Sequence, residues 1–126
     1  MVDEKFSIRK RLVSFKYAFS GLKILLKEEH NARIHLFIAL FVLVAGIVFR
    51  ISMYEWIVIF LCIGGVFALE LINSAIENIA DFVSPEKHET IKKIKDLSAA
   101  AVLTGAMISF IAGIIIFIPK IIALLC

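Results

Sequence analysis

The sequence has 126 residues, 61% of them hydrophobic, with 14 Lys and Arg against 11 Asp and Glu for a formal charge of +3. Its mean hydropathy is +0.97. A soluble globular domain carries about 45–50% apolar residues, so a composition this rich in them excludes that class. The chain reads as one small polytopic membrane domain covering residues 1–126. Its two cysteines, Cys62 and Cys126, match no metal-ligand or disulfide spacing.

In chain order, Ile8, Leu12, Phe15, Phe19, Leu22 and Leu26 recur every three or four residues, with Lys10, Lys16, Lys23 and Lys27 on other faces. This pattern predicts an amphipathic helix within 1–33, lying in the membrane interface with its apolar side at the acyl boundary. It delivers Glu28 and Glu29 to the point where the chain enters the bilayer. No secretory signal is expected, because these 33 residues are mostly polar or amphipathic and no small-residue cleavage site follows them.

Three apolar stretches, at about 34–51, 54–75 and 98–118, each approach the ~20 residues that a helical span requires. The turn around Arg50–Glu55 is very short, which makes the first two spans antiparallel neighbours, with Tyr54 and Trp56 as interfacial anchors. A connecting stretch at about 79–97 follows the second span. Within it, Ser84 and Pro85 predict a helix start, with Ser84 as the N-cap and Pro85 at the first helical position. Pro119 is expected to close the last span.

Basic residues set the orientation. Eight of the 14 Lys and Arg precede the first span, four (Lys87, Lys92, Lys93 and Lys95) lie between the second and third, and Arg50 and Lys120 remain. The positive-inside rule then puts the amino terminus and the 79–97 connection in the cytoplasm and the carboxyl terminus outside. The expected location is a cell membrane, crossed three times. No nucleic-acid partner is expected.

The second span carries a polar row, Glu70, Asn73, Glu77 and Asp81. Spacings of 3, 4 and 4 place all four on one helical face, within roughly 80° at ~100° per residue. An ionisable group in or beside hydrocarbon is costly, and such residues mark functional sites by default. Counted from Tyr54, Glu70 lies ~24 Å along the helix and Glu77 ~35 Å, against a hydrocarbon core of ~30 Å. Glu70 can therefore meet a group dissolved in lipid, and Glu77 one dissolved in cytosol.

The cytosolic end collects Glu29, Glu77, Asp81 and Lys95. Magnesium prefers one or two carboxylates together with waters and substrate phosphates. Glu70 is placed to accept a proton from a lipid hydroxyl. Transfer of a γ-phosphoryl group needs mainly positioning and charge stabilisation, so few protein groups suffice. The pattern predicts an ATP- and Mg2+-dependent lipid kinase.

Other residues have plainer readings. Asn73 also suits an interhelical hydrogen bond. His30 and His35 are read as interfacial side chains, and Lys92 and Lys93 as membrane-surface charges. Gly64-Gly65 lacks the Lys-Ser/Thr of a phosphate loop and is read as helix packing. Physics alone leaves open whether Glu28 or Glu29 is the ligand. A non-enzymatic oligomeric proton or ion conduit is the alternative function. It would call for polar residues through the outer half of the span, where Cys62 and the glycines are all that interrupt the apolar run from Trp56 to Leu69.

The run Glu70-Leu-Ile-Asn-Ser-Ala-Ile-Glu77, then Asp81 and Lys95-Asp96-Leu-Ser-Ala-Ala-Ala, resembles the signature of the small bacterial diacylglycerol kinase and undecaprenol kinase family. Phe15-Lys-Tyr-Ala-Phe-Ser-Gly-Leu22, Glu29, Arg33 and the three spans extend the likeness over nearly the whole chain. The resemblance implies an all-α membrane fold, an interfacial helix plus three transmembrane helices, working as a homotrimer with sites at subunit contacts. It implies Glu70 as the catalytic base and Glu29 and Glu77 as magnesium ligands. It also implies that Tyr17, Asn73, Asp81, Lys95 and Asp96 contact or organise ATP, with Lys10 and Glu86, Lys87 and His88 around the nucleotide. Lys10 stands where relatives often carry arginine, and a lysine supplies a point charge instead of a planar fork. The outer run Ile51-Ser-Met-Tyr-Glu-Trp56 looks more like the undecaprenol branch, which tilts the expected acceptor towards the polyprenol.

Overall fold

A computed structural model describes residues 5–126. Within them the chain forms four helices: α1 (Ile8–Glu28), α2 (His30–Val48), α3 (Met53–Val83) and α4 (Glu89–Leu125). Among the described residues there is no strand. α2, α3 and α4 are long and apolar enough to cross a membrane, as the hydropathy pattern predicts. Large apolar side chains cover the outside of the bundle, among them Phe37, Phe41, Phe60, Phe110 and Ile115. In water such a surface would aggregate; in hydrocarbon it needs no cover.

α1 begins with the Ser7 hydroxyl accepting from the Lys10 N–H, which satisfies one free donor of the first turn. Its expected apolar face, including Leu12, Phe15 and Phe19, is exposed along the helix, while Leu25 near its end is 1% exposed. Glu29 breaks the helix in extended geometry (φ −101°, ψ 112°), and α2 starts at once. The bend between the two helices is therefore built around one acidic residue.

α2 ends in a Schellman-type turn. Arg50 takes a left-handed conformation (φ 51°), its N–H donates to the Ile47 carbonyl, and the Ile51 N–H donates to the Gly46 carbonyl. Ile51 and the Trp56 ring close over Gly46, where an added Cβ would meet the indole at 2.7 Å. Two residues later a capping box opens α3, with the Ser52 hydroxyl accepting from the Glu55 N–H while the Glu55 carboxylate accepts from the Ser52 N–H. Glu55 also pairs with Lys120 of α4 at 2.7 Å. Ile51, Ile59 and Ile116 form the apolar core here, with Trp56, Phe49 and Phe117 around them.

α3 and α4 share the most extensive helix contact. α3 has 31 residues and α4 has 37. At 1.5 Å per residue these lengths are about 46 and 55 Å, longer than a hydrocarbon core of ~30 Å. The surplus carries the charged residues of Glu77–Val83 and Glu89–Leu97, so the polar stripe rides on rigid helix instead of loop. Most of the 79–97 connection is accordingly helical.

Two local expectations are corrected. Ser84 does not start a helix; it closes α3, its N–H donating to the Ala80 carbonyl, and α4 begins at Glu89 with His88 as its cap. Pro85 disfavours helical geometry at Ser84, so the same dipeptide ends a helix when an unbroken apolar-polar run leads into it. Pro119 does not close the last span but lies inside α4. A proline removes one N–H donor there, and membrane helices tolerate that loss better than soluble ones.

Candidate active site

The polar stripe sits at the end of the bundle opposite the Ile51–Ile59–Ile116 core. Glu70 is 2% exposed, the most deeply buried charged side chain among the described residues. Its Oε1 is fully enclosed and forms no well-aligned hydrogen bond. The Nε2 of His35, on α2, lies 3.2 Å from that oxygen. A carboxylate in this position keeps accepting capacity for a further donor.

Glu29 reaches the same region from the α1–α2 junction. Its Oε1 accepts the Ser74 hydroxyl of α3 at 3.2 Å. Glu29, Glu77 and His35 are the charged or titratable groups close enough to act electrostatically on Glu70. Two elements thus bring three carboxylates to one region: the α1–α2 bend supplies Glu29, and α3 supplies Glu70 and, two turns on, Glu77. Among the described residues no group of three or more His, Cys, Asp or Glu side chains forms a metal cage.

One turn beyond Glu70, Asn73 accepts the Ser98 hydroxyl of α4 through its side-chain oxygen at 2.7 Å. Two turns further, Asp81 accepts from the Lys95 ammonium, another α3–α4 link. Asn73, Glu77 and Asp81 are therefore held on a helix that α4 fixes through two polar contacts. Lys95 is also close enough to feel the charge of Glu77.

The remaining expected residues fall elsewhere in the single chain. Lys10 and Tyr17 line a shallow recess on α1 with Ser7, Arg9 and Val13. Asp96 pairs with Lys92 one turn away, not with Lys95. Glu86, Lys87 and His88 occupy the α3–α4 turn, where the Ser84 hydroxyl donates to the Glu86 carbonyl and His88 Nδ1 accepts from the Thr90 N–H. These contacts are local to the turn.

Three residues of the site escaped the sequence reading. Ser74 carried a signal, since it lies four residues after Glu70 and three before Glu77 on the same face. Ser98 and His35 had none, because each meets its partner across two helices. His35 in particular is not merely an interfacial side chain, since it faces the buried acid.

The chain is similar to known proteins over most of its length. The chain is 39% identical over 118 residues to an undecaprenol kinase of Bacillus subtilis, covering 94% of this chain and 96% of that protein. It is 34% identical over 115 residues to a diacylglycerol kinase of Synechocystis, covering 90% of this chain and 66% of the relative. A diacylglycerol kinase of Haemophilus influenzae is 31% identical over 105 residues, covering 82% and 89%. Residues 16–117, from the middle of α1 to near the end of α4, match the prokaryotic diacylglycerol kinase family, with Glu29, Glu70 and Glu77 all inside the match. On that span, with three membrane-length helices and an acidic stripe at one end, the chain belongs to the prokaryotic diacylglycerol kinase family.

Proposed function

We propose that this protein is a lipid kinase that moves the γ-phosphoryl group of ATP onto the hydroxyl of a membrane lipid alcohol, with Glu70 as the base. The observation that carries this reading is the buried carboxylate of Glu70, within electrostatic reach of Glu29 and Glu77. In the transfer, the alcohol O–H bond breaks and its proton goes to Glu70. The alcohol oxygen forms a bond to the γ-phosphorus as the bond to the β-phosphate oxygen breaks, and ADP leaves.

Glu29 and Glu77 would hold the magnesium ion that accompanies ATP. Two carboxylates without a cage suit this ion, which fills its other positions with waters and phosphate oxygens. When bound it neutralises charge on the β- and γ-phosphates. Asn73, Asp81 and Lys95 lie along the same face towards the cytosol and would position the nucleotide. Lys10, Tyr17, Asp96 and the Glu86–His88 turn would join them where neighbouring subunits of a homotrimer meet, since they stand apart within one chain. The many exposed small and apolar residues of α3 and α4 leave room for such neighbours. The basic residues of α1 and of Lys87–Lys95 favour a cytoplasmic site, with the carboxyl terminus outside.

The acceptor follows the similarity to the Bacillus subtilis undecaprenol kinase, so the polyprenol is the preferred alcohol over diacylglycerol. The test is the purified protein in lipid with labelled ATP and either alcohol at equal concentration. Phosphorylated undecaprenol formed faster than phosphatidate supports the reading. The reverse order would reassign the acceptor. Phosphorylation of neither alcohol, with ion flux in vesicles, would replace the kinase with a conduit.

A further inference from the structure

Glu70 is approached by one basic side chain among the described residues, and it comes from a different helix. His35 lies in the second turn of α2, and its Nε2 stands 3.2 Å from Glu70 Oε1. Glu29 from the α1–α2 bend and Glu77 from α3 act on the same carboxylate as like charges. From α4, Lys95 is engaged by Asp81 two turns or more along the stripe. The burden of facing a buried carboxylate flanked by two others therefore falls on His35.

The imidazole has a second relationship. It forms one end of a groove of about 400 Å³ between α2, α3 and α4, whose walls are apolar apart from His35, Cys62 and Ser109. Val66 and Phe67, the residues just before Glu70 on α3, continue the same wall. His35 thus stands between a hydrocarbon-lined space and the acid. Ile or Leu there would have completed the apolar wall and left Glu70 Oε1 facing it.

We infer that His35 is a positioning residue for the proposed base: its imidazole, 3.2 Å from Oε1, holds that side of the carboxylate by a close polar contact and leaves the other oxygen to take the proton from the lipid alcohol. A buried carboxylate needs a partner to hold one rotamer and one charge state. A donor fixed to α2 supplies both without occupying the whole group. The inference rests on the kinase reading above and adds to it a residue on a separate helix. His35 touches neither the alcohol nor ATP in this scheme, so its loss should alter the chemical step more than the binding of either substrate.

The experiment compares full-length wild type with His35→Leu, His35→Phe, His35→Gln and Glu70→Gln, each in the same lipid mixture. Labelled ATP and undecaprenol are varied in turn to separate kcat from KM. Phe keeps the ring and loses the donor; Gln keeps an N–H and loses the ring. Loss of this close polar contact to a charged group predicts that His35→Phe and His35→Leu lower kcat about 10- to 100-fold, with both KM values within about threefold of wild type. His35→Gln should recover most of that loss.

A purely structural role would instead make Phe the better replacement and Gln the worse, and that order overturns the inference. So does wild-type kcat in His35→Leu or His35→Phe while Glu70→Gln is inactive. Should Glu70→Gln itself keep the wild-type rate, the base assignment fails before His35 enters, so the two failures are distinguishable.

Discussion

The Ser98 hydroxyl donates to the side-chain oxygen of Asn73 at 2.7 Å, tying α4 to α3 one helical turn beyond the buried Glu70. The contact engages the side-chain oxygen of Asn73, and its NH2 group takes no part in it. An asparagine fixed in this way can offer two donors to an incoming phosphate or ribose. Ser98→Ala should free the amide at a cost of about 0.5–1.5 kcal/mol in positioning, a factor of roughly 2–12. The expected outcome is a KM for ATP raised by that factor and a lipid KM unchanged, measured by steady-state kinetics with each substrate varied.

The Lys95–Asp81 pair separates a structural role from a nucleotide role. Both side chains are substantially exposed, and exposed pairs contribute about 0–1 kcal/mol to stability. Lys95→Ala should accordingly leave the thermal midpoint nearly unchanged. If the ammonium also meets phosphate, the same variant raises the KM for ATP by about tenfold or more, since hydrogen bonds to charged groups are worth ~1.5–3 kcal/mol. Lys95→Arg should recover only part of the loss, because a planar fork replaces a point charge. Kinetics and a melting curve on the same preparations check both statements.

Glu29 is held by Ser74, whereas Glu77 has no hydrogen-bond partner among the described side chains. As the proposed metal ligands, both should change the demand for magnesium when altered. Glu77→Gln is expected to shift half-maximal activation to a magnesium concentration about tenfold higher or more, with smaller effect at saturation. Ser74→Ala should give a weaker shift in the same direction, because it only releases Glu29. Removing the metal with a chelator should abolish turnover in wild type, and added Mg2+ should restore it. A metal titration of each variant reads all three outcomes.

Away from the site, Gly46 of α2 packs directly against the Trp56 ring of α3 and against Ile51. A Cβ there would sit 2.7 Å from the Trp56 ring and 3.1 Å from Ile51. Gly46→Ala should cost about 1–3 kcal/mol by overpacking, visible as a lowered thermal midpoint. The kcat of the folded fraction should match wild type, because the strain lies in the Ile51–Ile59–Ile116 core at the opposite end from Glu70.

How much of this was legible in the sequence depended on whether a feature was local. Glu70, Asn73, Glu77 and Asp81 share a face because they share one helix, and helical spacing alone says so. The three membrane-length helices followed from hydropathy for the same reason. Helix ends were harder. Ser84-Pro85 is chemically able to start a helix or to stop one, and the choice fell to the long run of α3 leading into it. Pro119 by itself spells a stop, but apolar sequence on both sides lets α4 run past it to Leu125. Across helices the sequence was silent: nothing near His35 in the chain announces Glu70, and nothing near Ser98 announces Asn73. Contacts of that kind come from how α2 and α4 pack on α3.

The most direct measurement is phosphate transfer from γ-labelled ATP to undecaprenol by wild type and Glu70→Gln, reconstituted at equal amounts in the same lipid. Gln keeps the size of the buried side chain but cannot take the alcohol proton. General-base removal predicts a kcat lower by about 100-fold or more, with the KM for ATP little changed. A Glu70→Gln enzyme that transfers phosphate at a rate near wild type would contradict the account, since the enclosed carboxylate would then have no part in the reaction.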